Sequence, residues 1–178
     1  MLRQNGKKSI LKDKRRMIFL ILSVLCMLTI FMFSSRNGKE STRDSQNVDS
    51  AVTRIQKKKI SKMNRKQKAD YLEKIDIIVR KSAHFTEYMI LAMLLFGAFY
   101  LEYRKKYINF LIPFLTASLY SVSDEVHQYF VSERTGTPRD VLIDSAGALA
   151  GVLIVFAAVL IVKKIRQRSE LTKNHPYG

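Results

Sequence analysis

Cysteine, tryptophan, proline and acidic residues are all scarce in this chain of 178 residues. It contains one cysteine, no tryptophan, three prolines and 15 aspartates and glutamates. Its only cysteine, Cys26, excludes a disulfide bond within one chain and leaves the redox compartment open. No internal repeat or low-complexity tract is present, which excludes a repeat architecture. The length is that of a single domain.

The few acids face 31 lysines and arginines, which gives a net charge of +16, yet the mean hydropathy is near zero. The two values coexist because basic and apolar blocks alternate along the chain. Such alternation is typical of an integral membrane protein. We expect no nucleic-acid partner, because no recognition motif is present and the charges lie at the ends of apolar stretches. The basic blocks are residues 1–16, 36–81, 102–107 and 163–173.

Four apolar stretches predict an all-α, polytopic membrane protein built as a bundle of four transmembrane helices. The first could also be the apolar region of a signal peptide, but it is long for one and no A-x-A cleavage site follows it. We therefore interpret it as an uncleaved helix. The predicted organisation is a basic N-terminus at 1–16, a membrane domain at 17–162 and a basic tail at 163–178, with spans at about 17–33, 82–101, 108–130 and 141–162.

A long polar segment, residues 34–81, joins the first two predicted spans. Its apolar residues recur at helical spacing within 52–63 and again within 71–79. This spacing predicts one or two short amphipathic helices. Helices of this kind either lie on the membrane surface or are solvated, and the sequence leaves both alternatives open.

The distribution of basic residues predicts the orientation of the chain in the membrane. The segments on the side of the two termini hold 15 of the 31 lysines and arginines in only 38 residues, against 16 in the 57 residues of the opposite segments. Short basic segments favour the cytoplasm, and long loops count less. Both termini are therefore expected to be cytoplasmic, and the 34–81 segment to lie outside.

Ionisable side chains lie inside the predicted spans, where each charge at membrane depth costs about 2.5–3.5 kcal/mol. They open the second span, close the third and open the fourth, so they share the membrane face opposite the termini. Helical periodicity places each set on one arc of its helix. We expect these arcs to converge on one polar pocket, because intramembrane charges face the bundle interior or a water-filled cavity. The candidate catalytic residues are His84, Glu87, Asp124 and His127, and the candidate binding residues are Lys81, Tyr88, Glu125, Gln128, Arg134, Arg139, Asp140 and Asp144.

These imidazole, carboxylate and guanidinium groups suit general acid–base chemistry, and His and carboxylate ligands could also bind a divalent metal. The spacings match no metal signature, so a metal or another cofactor stays an open question. The same groups could instead pair with one another only to hold the helices together. A G-x-x-x-G step at Gly147 and Gly151 predicts that another helix approaches the fourth span closely.

The blocks that carry these residues resemble the VanZ-like family. They are residues 80–88 (RKSAHFTEY), 123–136 (SDEVHQYFVSERTG) and 140–148 (DVLIDSAGA) with Gly151, together with Phe33-Ser34-Ser35 after the first span. The resemblance covers about residues 17–162 in the family's order and departs from it at Ser132-Glu133, where a Pro-Gly-like turn is expected. It implies a small bacterial membrane protein of four helices whose namesake is linked to resistance to teicoplanin, a lipoglycopeptide antibiotic.

Two functions are compatible with these features. In the first, the pocket binds or modifies a lipid-linked envelope precursor or a lipoglycopeptide at the outer face. As an enzyme it would then be a hydrolase or transferase in which His84 or His127 is the base, and Arg134 and Arg139 hold a phosphate or carboxylate. In the second, the protein is a non-catalytic scaffold in the envelope that acts through protein partners. Membrane lipids are expected partners in both cases.

Overall fold

The computed structural model describes residues 2–35, 54, 60–101, 104–131 and 136–174, and these residues form four α-helices and no strand. The helices are α1 (Leu2–Ser34), α2 (Arg65–Phe99), α3 (Lys106–Tyr129) and α4 (Pro138–Asn174). The all-α class predicted from the apolar stretches is confirmed. The predicted amphipathic segment at 52–63 and the side chain of Arg134 lie largely or wholly outside the described residues.

Three of these helices are long and apolar enough to cross a membrane, over Asp13–Ser34, Arg65–Phe99 and Pro138–Glu170. Large apolar side chains along them are exposed on the outside of the bundle, as Met17 and Leu142 show at 57% and 71% exposure. Such surfaces suit contact with lipid. Helix α3 is long enough but less apolar than these three, because polar residues such as Asn109 and Asp124 interrupt its apolar sequence.

The helices extend well beyond the apolar stretches seen in the sequence. Helix α2 begins at Arg65, so the residues predicted as a separate short helix at 71–79 form its first turns. Its start is fixed by a capping box, in which Asn64 Oδ1 accepts from Gln67 N–H at 2.8 Å and Gln67 Oε1 accepts from Asn64 N–H at 3.0 Å. Helix α4 likewise continues from Pro138 to Asn174, through most of the basic tail.

Contacts between the helices fix their directions. Arg16 donates to the carbonyl oxygen of Ala98 at 3.2 Å, and Cys26 Sγ lies 4.0 Å from the carbonyl oxygen of Glu87, so α1 and α2 are antiparallel. The hydroxyl of Tyr120 donates to Met27 O at 2.7 Å, and Ser34 Oγ donates to Asp124 at 2.8 Å, so α3 runs parallel to α1. Helix α2 packs against each of the other three helices.

Helices α2 and α4 are parallel neighbours whose backbones touch. A Cβ atom on Gly147 would overlap the carbonyl oxygen of Phe85, and one on Gly151 would overlap that of Met89. The two glycines thus allow the close approach that the G-x-x-x-G step predicted. Around this contact lies the apolar core of the bundle, formed by Ile30, Tyr88, Leu91, Ala92, Leu95, Phe96, Ala117, Ala148 and Val152.

Candidate functional site

A cavity of about 510 Å³ opens among α2, α3 and α4, at the end of the bundle opposite the two termini. Its wall is mostly polar and contains three basic side chains, three carboxyl groups and one imidazole. The lining residues are Ile77, Arg80, Lys81, His84, Glu125, Gln128, Thr137, Arg139, Asp140, Ile143 and Asp144.

The rim of the cavity is held by an ion pair between α2 and α4. Lys81 Nζ bonds to Asp140 Oδ1, and both side chains remain partly exposed. Thr137 Oγ1 donates to Asp140 Oδ2 at 3.0 Å and accepts from the Asp140 N–H at 3.3 Å. Thr137 is therefore the residue that caps the N-terminus of α4, and the same turn fixes the carboxylate that faces Lys81.

One turn deeper, His84 faces Asp144. The distance from His84 Nδ1 to Asp144 Oδ1 is 3.9 Å, and the Asp144 side chain is 1% exposed whereas that of His84 is 21% exposed. The other carboxylate oxygen of Asp144 accepts from Ser121 Oγ at 3.0 Å. Three helices thus contribute one side chain each, since His84 belongs to α2, Ser121 to α3 and Asp144 to α4.

Glu125 joins the end of α3 to the start of α4. Its carboxylate accepts from the Thr137 N–H at 2.9 Å, and the side chain is buried. A negative charge beside the first turn of α4 is also favoured by the helix dipole. Glu125 therefore has a structural partner at the cavity wall.

A second buried polar group lies outside the cavity lining, between α1 and α3. Asp124 Oδ2 accepts from Ser34 Oγ at 2.8 Å and from Gln128 Nε2 at 3.1 Å. Next to it, His127 Nε2 is 3.1 Å from Ser35 Oγ, and its ring lies 4.6 Å from that of Phe31. Both residues thus meet the end of α1, where they contact different side chains.

The structure brings together only part of the predicted set. Glu87, Asp124 and His127 do not line the cavity, and Tyr88 is completely buried in the apolar core, with its ring 6.2 Å from that of Tyr120. Arg134 lies outside the described residues. The predicted residues in the cavity wall are Lys81, His84, Glu125, Gln128, Arg139, Asp140 and Asp144.

Four cavity residues were not among the candidates from the sequence: Ile77, Arg80, Thr137 and Ile143. Ser34 was likewise not predicted as the partner of Asp124. Thr137 could have been found, because a threonine three residues before Asp140 is an N-cap signal. The two isoleucines carry no comparable signal. As for metals, no group of three or more His, Cys, Asp or Glu side chains in the described part of the chain is arranged to hold an ion.

The long apolar helices define this chain as an all-α integral membrane protein. The family model described as VanZ/LLP1 matches residues 19–162, most of the chain. The chain therefore belongs to the VanZ/LLP1 family, which confirms the resemblance seen in its sequence blocks. No curated protein and no solved structure matches it.

Proposed function

We propose that the protein binds the polar headgroup of an amphiphile in the cavity formed by α2, α3 and α4, at the outer face of the membrane. The observation that carries this proposal is the cavity itself, whose volume of about 510 Å³ lies within the usual range for small-molecule sites. A headgroup fits this volume, while the exposed apolar flanks of the helices offer a surface for an acyl or prenyl chain.

The wall offers ligands for both parts of a sugar phosphate or peptide headgroup. Arg139 and Lys81 at the rim carry the positive charge that a phosphate or carboxylate needs. Gln128 and the carboxylates of the wall can hydrogen-bond to hydroxyl or amine groups. These properties suit a lipid-linked envelope precursor or a lipoglycopeptide of the teicoplanin type, and binding of the latter would give low-level glycopeptide resistance.

The proposal places α3 across the membrane as a fourth span. Its 24 residues are about 36 Å long, enough for a bilayer core of about 30 Å. The polar residues that lower its hydropathy have partners inside the protein. Asn109 makes two hydrogen bonds with the backbone of Leu101, at 2.8 and 3.1 Å, and Ser121 bonds to Asp144. With four spans, both termini lie on one side, which the basic segments assign to the cytoplasm.

Binding can be tested with the purified full-length protein in detergent. Farnesyl diphosphate and teicoplanin serve as probes, and their affinities are measured by microscale thermophoresis. Arg139→Gln and Lys81→Gln are expected to weaken binding of at least one probe by tenfold or more, because they remove positive charges from the cavity rim. Arg168→Gln, an exposed change at the opposite end of α4, is the control. If neither probe binds, or if the rim variants bind like the wild type, the proposal fails.

A second candidate function, the scaffold, is favoured by the hydrogen bonds between helices. Ser34 with Asp124 and Ser121 with Asp144 each join two helices inside the bundle. In a scaffold, such groups act only on stability. The charge-conserving change Asp124→Glu should then preserve low-level glycopeptide resistance whenever the protein reaches its normal abundance in the membrane. Loss of the phenotype at normal abundance would exclude the scaffold.

A further inference from the structure

We propose that the cavity is catalytic, with His84 as the general base for hydrolysis of a phosphate bond in the bound headgroup and Asp144 as its positioning residue. This inference rests on the proposed function, because it assigns a reaction to the same cavity. It is carried by the placement of His84 and Asp144, on two helices, in the wall of the cavity, and by the hydrogen bond from Ser121 on a third helix to Asp144.

The geometry is that of a base and a residue that orients it. The Asp144 carboxylate is held by Ser121, whose hydroxyl donates to Oδ2 at 3.0 Å. The other oxygen, Oδ1, faces the imidazole of His84. His84 Nδ1 is buried and lies 3.9 Å from that oxygen. The side chain as a whole is 21% exposed, so its exposed part lies away from Nδ1. In unliganded sites such distances are often long and shorten when the ligand binds.

The backbone contact between α2 and α4, next to His84 and Asp144, holds this arrangement in place. Gly147 lies one turn after Asp144, and its backbone touches that of Phe85, the residue next to His84. A backbone contact cannot adjust by side-chain rotation. The histidine and the aspartate are thus mounted on two helices whose separation is fixed beside them, which is what a preorganised base requires.

Basic side chains lie one turn outward from His84, where a phosphate would be held. Lys81 and Arg80 precede His84 on α2, and Arg139 precedes Asp144 on α4. Arg80 already uses Nε with Asp76 at 3.2 Å, but a guanidinium has five N–H donors, so one ion pair does not exhaust it. Positive groups in this position stabilise the charge that develops on phosphoryl oxygens.

The proposed step uses water as its co-reactant. The water oxygen forms a bond to the terminal phosphorus, while the bond from that phosphorus to the bridging oxygen breaks. The electron pair of the broken bond stays on the bridging oxygen. The water proton passes to Nε2 of His84, and from there to the departing oxygen or to solvent. Nothing is oxidised or reduced, and Asp144 keeps its charge while it stabilises the imidazolium.

His127, the other histidine in the predicted catalytic set, does not fit this role. It lies outside the cavity wall, beside Ser35 and the ring of Phe31. Asp124, three residues earlier, directs Oδ2 to Ser34 and Gln128. His127 therefore provides a matched control for His84, since both are histidines near the same end of the bundle.

The test uses full-length protein in detergent with farnesyl diphosphate, and it follows inorganic phosphate release and probe binding separately. We expect wild type to release phosphate, and His84→Gln to slow release by about 100-fold or more while it still binds the probe. Asp144→Asn should slow release and move the pH–rate profile, because Asp144 no longer stabilises the imidazolium. His127→Gln should keep the wild-type rate.

Each outcome decides between the two proposals. Probe binding without phosphate release by the wild type overturns the catalytic inference and leaves the binding function standing, whereas no binding overturns both. A wild-type rate in His84→Gln also overturns the inference. Melting temperature and membrane abundance are measured for every variant. If His84→Gln does not fold, His84→Asn takes its place under the same criteria.

Discussion

The close contact of α2 with α4 predicts that larger residues at its glycines lower the stability of the protein. Gly147→Ala would push a methyl group into the carbonyl oxygen of Phe85, and Gly151→Ala would do the same at Met89. Because the obstacles are backbone atoms of a helix, they cannot rotate aside. The two helices must move apart, and the change should destabilise the protein.

The expected size follows from two opposing terms. Overpacking a well-packed contact costs about 1–3 kcal/mol. Replacing glycine by alanine within a helix gains about 1 kcal/mol of helix propensity. The net loss is then up to about 2 kcal/mol at each of the two sites. Without the clash only the gain would remain, so the direction of the change alone tests the contact.

Unfolding in detergent, followed by circular dichroism against temperature, measures this difference. Gly147→Ala and the double variant with Gly151→Ala should melt below the wild type. Gly97→Ala is the control, because there the new methyl would meet the ring of Phe19, a side chain that can turn away. Its melting temperature should fall less. A rise in the melting temperature of the double variant would refute the close backbone contact between α2 and α4.

Three further predictions concern the buried polar groups and the topology. Ser34→Ala should cost about 1–3 kcal/mol of stability, measured by the same unfolding assay, because Asp124 loses a buried hydrogen-bond donor. Lys81→Met should change stability by less than about 1 kcal/mol, because its pair with Asp140 is partly exposed, but it should weaken binding of farnesyl diphosphate. A probe cysteine at Ser45, in a chain without Cys26, should react with a membrane-impermeant reagent in intact cells. Labelling only after lysis would reverse the proposed orientation.

The periodicity of the sequence predicted the polar faces of α2 and α4 that meet in the structure. Lys81 and His84 share one face of a helix, as do Asp140 and Asp144, and the two faces meet in the structure. Helical geometry fixes such relations within one segment, and the glycine step indicated that a neighbour would come close. These residues were therefore accessible to prediction without coordinates.

The rotation of α3 was not accessible in this way. The sequence placed Asp124 at the centre of the polar arc of α3, His127 within that arc and Glu125 at its margin. In the structure Glu125 lines the cavity, while Asp124 bonds to the end of α1. Periodicity determines which residues share a face, but not which neighbouring helix that face meets. With polar residues on two sides of α3, only packing decides between them.

Helix length was missed for a different reason. Hydropathy detects only the part of a helix that suits lipid, whereas Arg65–Phe99 continues through a polar segment that begins at a capping box. The part of α2 that lines the cavity is residues 77–84, which lie three turns or more after the start of the helix. The twelve residues before Ile77 therefore extend α2 by about 18 Å on the cavity side. A ligand that enters from the outer leaflet would have to pass this extension.

Three kinds of contact join α2 and α4 in order from the cavity rim inward, and they would respond differently to a bound ligand. The capped ion pair of Lys81 and Asp140 is outermost, His84 with Asp144 comes next, and the glycine contact at Phe85 lies deepest. The outer pair consists of side chains that can change partners, but the deepest contact consists of backbone. A phosphate that drew Lys81 away from Asp140 would therefore rearrange the rim, while the separation of the helices at the imidazole stayed the same. Ligand exchange and a rigid base can thus coexist in one cavity because different kinds of contact control them.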